Sequence, residues 1–312
     1  MWHALFRQRF NLLLALTFGF ALLSPFLQVC AQPEQLSADE LLKSVQDWMQ
    51  ENVDDTVWDA LGLDQNRVRE FMTEMEVRLH GTNPYDLGHL EQTAIQLLPV
   101  LKKFEETQPY AEWLETHLDY LSTANELRRQ VKPATNSLLP APPLQLQRTI
   151  WVHQLERRPM PQQAQKIIPR LKTIFAAQNV PSELVWLAEI ESSFNASAKS
   201  PAGAAGMFQL MPVTAKRFNL SLWPHDERLD LDKSAQAAAH YLRILHQRFG
   251  DWRLALAAYN AGEQRVQNLL KQDKAPAYDR IAYRLPAETQ MYVPKFEALL
   301  LRREGKRMSD LN

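Results

Sequence analysis

The chain has one cysteine, Cys30, in 312 residues, so it cannot form an intrachain disulfide. It also lacks a charge bias. Its 35 basic residues nearly balance its 36 acidic ones, and no long basic block appears, which leaves no support for a nucleic-acid partner. After residue 31 no apolar run reaches the length of a membrane span. There is no internal repeat. The acidic stretch holding Asp226, Glu227, Asp230 and Asp232 does not have the spacing of a calcium loop, and His225 beside it is a weak ligand candidate. No metal site is read from the sequence.

The first 31 residues read as an export signal. Arg7 and Arg9 give the positive start, residues 12–23 a short apolar segment, and Val29-Cys30-Ala31 a small-residue exit. Cleavage after Ala31 would start the mature chain at Gln32, without cysteine, so that export would not depend on redox state. An uncleaved anchor is the alternative. Lipid attachment at Cys30 is a weaker one, because Leu27 fits a lipobox while Gln28 and Val29 fit it poorly.

The rest reads as helix, so the fold class is all-α or mainly α. Residues 32–131 form a helical accessory region. Its apolar sets are Leu41, Leu42, Val45, Trp48 and Met49; Val68, Phe71, Met72, Met75 and Leu79; Leu90, Ala94, Leu97, Leu98 and Leu101; and Trp113, Leu114, His117, Leu118 and Leu121. Asn83-Pro84 interrupts them. Trp48, Trp58 and Trp113 could stack on sugars, but tryptophans at these spacings are usually core. Residues 132–143 are proline-rich and read as a linker, so each side is expected to fold separately, with no catalytic group before it. A second helical region follows over 144–305, then a short tail, 306–312.

Residues 189–212 carry the clearest chemistry: E-I-E-S-S-F-N-A-S-A-K-S-P-A-G-A-A-G-M-F-Q-L-M-P. Pro181 suits the first turn of the helix before it. Glu191 lies near the face set by Leu184, Leu187 and Ala188, while Glu189 points about 200° away. A carboxyl entering a partly apolar cleft there would have a raised pKa, as a proton donor needs. A solvated helix-end Glu would fit the same letters.

The residues Glu191-Ser192, Phe194, Ser200-Pro201, Gly203-Ala204, Gly206-Met207-Phe208-Gln209 and Met211-Pro212 resemble the lytic transglycosylase family, whose catalytic domain is lysozyme-like. Ala257-Ala258-Tyr259-Asn260-Ala261-Gly262 and Glu288-Thr289 with Tyr292-Val293 continue the resemblance in order. The resemblance implies a lysozyme-like domain over 144–305 acting on peptidoglycan glycan strands. It implies Glu191 as the acid, with Ser200, Phe208, Gln209, Tyr259, Asn260, Glu288 and Tyr292 supporting it or binding substrate. Ser200 and Gln209 would bond either an N-acetylated sugar or their own turn. Phe208 would line a subsite or the core, and Tyr292 would stand near the acid. No cofactor is implied. A cell-envelope protein seated on the N-terminal helices is a further partner reading, and the periplasm is the implied location.

Glycoside hydrolysis normally uses two carboxylates, and this family is similar in fold but uses one. Glu191 would protonate the bond between N-acetylmuramic acid and N-acetylglucosamine. The muramoyl 6-hydroxyl would then close on its own anomeric carbon, giving a 1,6-anhydro end. Two alternatives stay open. One is a lysozyme-like hydrolase with Glu189, Asp226 or Asp230 as second carboxylate. The other is an inactive wall-binding protein.

Overall fold

The computed structural model describes residues 65–311, apart from 104, 106, 132–140, 157, 201 and 274–276. The export signal, Cys30, residues 32–64 with Trp48 and Trp58, Pro201 and most of the proline-rich run lie outside the described residues.

The apolar periods become helices. Helix α1, Gln65–His80, buries Val68, Phe71, Met72, Met75 and Leu79. Asn83-Pro84 then starts a 3-10 turn, Pro84–Leu90, whose first free N–H, on Tyr85, donates to Asn83 Oδ1 at 3.2 Å. Helices α2, Glu91–Leu101, and α3, Gln108–Gln130, follow. Trp113, Leu114, Tyr120 and Leu121 of α3 are buried, which gives Trp113 a core position. After the linker come α4, Leu144–Glu156, and α5, Gln162–Ala177.

The segment carrying Glu191 departs from a single regular helix. Pro181 precedes a 3-10 turn, Ser182–Trp186, and only Leu187–Ser192 is α-helical, as α6. Ser193 and Phe194 then take left-handed backbone, at φ of 52° and 64°, and end it. The chain continues through α7, Pro212–Arg217; α8, Leu231–Phe249; α9, Trp252–Ala261; α10, Glu263–Lys271; α11, Tyr278–Ile281; and α12, Ala287–Glu304. Side chains mark the starts. Asp230 caps α8 through Lys233 N–H, and Asp251 caps α9 through Arg253 and Leu254 N–H. Among the described residues the fold is all-α. Its only extended pairings are two isolated bridges, Lys199 with Ala205 and Ala205 with Leu210.

Helix α12 is the centre. Met291, Tyr292, Val293, Phe296, Leu299 and Leu300 are all buried, so the helix is apolar on nearly every side. Each such side chain contributes about 1.5–3 kcal/mol by leaving water, so the neighbours that cover α12 matter most to stability. They come from both sides of the proline-rich run: α4, α9 and the 182–186 turn, but also α1 and the 84–90 turn. Ala287 N–H donates to Gly81 O at 2.6 Å, and Gln290 Nε2 to Thr82 O at 2.7 Å. Lys295, 3% exposed, pairs with Asp119 of α3 at 3.3 Å. The two helical regions therefore share a core. Among the described residues no helix is long and apolar enough to cross a membrane.

Candidate active site

Glu191 ends α6, where the chain is about to reverse. Ser192, buried beside it, donates to Met207 O at 2.8 Å and so ties the end of α6 to the glycine-rich turn. The turn itself is closely constrained. Gly206 has φ of +80°, and a Cβ there would meet Arg228 O at 1.8 Å, so only glycine fits. Arg228 closes the turn from outside, with Nη1 donating to Gly203 O at 2.7 Å and to Leu210 O at 2.9 Å. Asp226 holds that guanidinium through both carboxylate oxygens.

The candidate residues fall into two groups. Glu191, Tyr259, Asn260, Glu288 and Tyr292 come together. Tyr292, four residues after Glu288 on α12, donates its hydroxyl to Glu191 Oε1. Tyr259 on α9 donates to Phe208 O at 2.7 Å, and its hydroxyl feels the Glu191 charge. Asn260 Nδ2 donates to Glu288 Oε1 at 2.8 Å, and Thr289 Oγ1 donates to Asn260 Oδ1 at 2.5 Å. Ser200, Phe208 and Gln209 instead build the turn. Ser200 Oγ accepts from Ala204 N–H at 3.0 Å. Gln209, at φ of +45°, donates through Nε2 to Gly206 O at 2.8 Å and Ala198 O at 3.3 Å. The Phe208 ring is fully buried against Phe175, at 5.6 Å between centroids. It has no face left for a sugar, and Phe208 meets the site through its carbonyl.

Burial pushes the Glu191 carboxyl up to about 8. The Tyr292 hydrogen bond opposes that shift, the negative charge of Glu288 adds to it, and Lys295 opposes it. Glu191 is therefore largely protonated at neutral pH. With Oε1 accepting from Tyr292, Oε2 is the oxygen free to carry and release the proton.

Glu189 has a different task. It is 4% exposed and takes two hydrogen bonds from Arg303, at 2.7 and 3.0 Å, on the opposite side of α6. Among the described residues no group of three or more His, Cys, Asp or Glu side chains is placed to hold a metal ion.

Residues 172–282 match the family model described as the transglycosylase SLT domain. The chain carries an SLT domain. Its Escherichia coli K12 relatives include membrane-bound lytic murein transglycosylase D, 42% identical over 126 residues, which are 39% of this chain and 28% of that one. Soluble lytic murein transglycosylase of the same organism is 33% identical over 154 residues, 46% of this chain and 23% of that one. This chain thus matches about a quarter of the length of each relative. An inactive-mutant structure of lytic transglycosylase Slt from Pseudomonas aeruginosa aligns with a TM-score of 0.40 at 17% identity, over 86% of this chain and 57% of that one.

The SLT match ends before α12, so Glu288 and Tyr292 lie outside it. So do residues that the sequence reading did not assign to the site. Tyr120 of α3 feels the charges of both Glu288 and Glu191, and His117 of α3 stands 3.9 Å from Glu288. The helical spacing of Trp113, Leu114, His117, Leu118 and Leu121 marked α3 as buried, without Tyr120, and nothing in it says what a buried face is packed against.

Proposed function

We propose that this chain is a peptidoglycan lytic transglycosylase. It cleaves the MurNAc-β-1,4-GlcNAc bond and leaves 1,6-anhydro-MurNAc ends, with Glu191 as general acid and then base. The observation that carries this reading is a carboxyl held largely protonated at neutral pH by burial, with one oxygen fixed by Tyr292.

In this reading Glu191 Oε2 gives its proton to the glycosidic oxygen as the bond to the anomeric carbon breaks. The electron pair leaves with that oxygen. The 6-hydroxyl of the same muramoyl residue then bonds to the anomeric carbon and returns its proton to Glu191. No water is consumed, and the enzyme ends as it began. Intramolecular attack has a high effective concentration, which lessens the need for a second carboxylate. The substrate acetamido group can assist at the anomeric carbon.

The carboxylates named for a hydrolytic route have other partners. Glu189 pairs with Arg303, Asp226 with Arg228, and Asp230 caps α8. Glycan strands are the substrate, and the periplasm, reached through a signal cleaved after Ala31, is the location. The chemistry belongs to a lysozyme-like domain over 144–305, with a cell-envelope protein as a further partner of the N-terminal helices. The test is digestion of purified strands by wild type and Glu191→Gln. Anhydro ends from wild type, and none from a folded Glu191→Gln protein that still binds strands, are expected. Reducing ends from wild type would favour the hydrolase.

A further inference from the structure

Glu288, Tyr292 and Lys295 follow one another on α12 at steps of four and three, so they share one stripe of that helix. Tyr292, in the middle, donates to Glu191. Lys295 lies one turn further along and is buried. Its ammonium pairs with Asp119 Oδ2 of α3 at 3.3 Å. It also lies 4.3 Å from the Tyr120 ring centroid and 5.2 Å from that of Trp151 on α4. A carboxylate and two ring faces suit a cation, whereas a neutral amine would gain little from them. Asp119 Oδ1 is taken by Arg158, which follows α4 and is more open to water. Two cations thus share one carboxylate, and Lys295 is the inner one. Tyr120 links this cluster to the acid, because its hydroxyl feels the charges of Glu288 and Glu191. Asp119, Arg158 and Lys295 all lie outside the SLT match.

We propose that Lys295, held in place by Asp119 and the two rings, is a positioning residue whose charge steadies the Glu191 carboxylate once its proton has passed to the glycosidic oxygen. Being buried, it acts through Glu191. Glu191 is faced by Tyr120 of α3, Tyr259 of α9, and Glu288, Tyr292 and Lys295 of α12. Among the described residues, Lys295 is the one cation in that set. Lys295 is itself faced by His117, Asp119 and Tyr120 of α3, by Arg158, and by Glu189 of α6, whose charge Arg303 already neutralises. Burial raises the Glu191 carboxyl and Glu288 adds to that, while Tyr292 and Lys295 oppose it. Burial lowers the Lys295 pKa, and Asp119 opposes that. This balance suits a group that is first an acid and then a base. Burial keeps the proton on Glu191 before the bond breaks, and the nearby cation limits the cost of the anion that follows. Helix α3 therefore does more than steer the strand, since its Asp119 holds the cation there.

This inference rests on the reaction proposed above, so its test has one readout that needs no turnover. Lys295→Met keeps the length of the side chain and removes the charge. Asp119 is then left one to one with Arg158, so no charge is stranded inside. Lys295→Gln removes the same charge with a different shape, and Lys295→Arg keeps it. By carbon NMR of the Glu191 carboxyl, Lys295→Met and Lys295→Gln should both raise the titration midpoint by at least about half a unit, and Lys295→Arg should leave it near wild type. On purified glycan strands, the alkaline limb of kcat/KM should move up by the same amount. At pH 6 kcat should fall about threefold, because the acid gives up its proton less readily. A role in packing alone would change stability without moving the midpoint. A midpoint unmoved in either folded uncharged variant, a shift in Lys295→Arg as large as in Lys295→Met, or a Lys295 amine found neutral at pH 7 by nitrogen NMR would overturn the inference. Absence of anhydro ends from wild type would instead overturn the reaction, while the midpoint still decides the role of Lys295.

Discussion

Replacing Glu191 by Gln should stabilise the fold while removing its activity. The ordinary value for a Glu carboxyl is 4.5, and here burial raises it to about 8. A raised carboxyl favours folding in its protonated form. That contribution is fully present below 4.5 and is lost as pH rises toward 8. At pH 7 the gap above the ordinary value is about 2.5 units, a ceiling of about 3.5 kcal/mol at about 1.4 kcal/mol per unit. The site is partly open to water and can relax, so about 1–2 kcal/mol is the expected gain for Glu191→Gln at pH 7. Gln stays neutral and still accepts from Tyr292, so the rest of the network is kept. Denaturant unfolding of both proteins from pH 4 to pH 9 reads the difference directly. It should be near zero at pH 4, grow through neutral pH and level off above pH 8. A difference that does not change with pH, or a Glu191→Gln protein less stable at every pH, would refute the electrostatic reasoning.

Other consequences follow from the same contacts. Because a donor must be protonated, kcat/KM should fall above about pH 8, and Tyr292→Phe should move that limb upward by removing a bond that favours the charged form. A pH–rate profile checks both, and Tyr292→Phe should also lower kcat about tenfold. Glu189→Gln should cost about 3–5 kcal/mol in unfolding experiments, since it strands the Arg303 charge inside, but should leave the pH limb unchanged. Gly206→Ala should cost at least about 2 kcal/mol, measured by unfolding, because both its backbone angle and Arg228 O resist a side chain. A chain starting at Leu144 should fail to fold as a soluble monomer, seen by circular dichroism and sedimentation, because it strips Gly81, Thr82 and Asp119 from α12.

Much of this was legible from residue order. The apolar periods of 68–79 and 113–121 place two helices, and the Glu288–Tyr292 spacing puts both residues on one face of α12. The opposed directions of Glu189 and Glu191 are visible as well, since two residues in a helix differ by about 200°. Three features were not. Phe208 in its motif reads equally as sugar wall or core, and only its contact with Phe175 decides for the core. The 3-10 turn before α6 has no distinct letter pattern, because Ser182–Trp186 carries ordinary helix residues. The shared core was hidden by the proline-rich run, which reads as a boundary. Pairings such as Asp119 with Lys295 join residues far apart in the chain, and no local period reports them.

The central claim is that Glu191 works alone, with the substrate's own hydroxyl as nucleophile. Digestion of purified glycan strands in heavy-oxygen water, read by mass spectrometry, tests it most directly. The account predicts muramoyl ends that are lighter by one water than reducing ends and carry no heavy oxygen. Reducing ends that carry one heavy oxygen would contradict it.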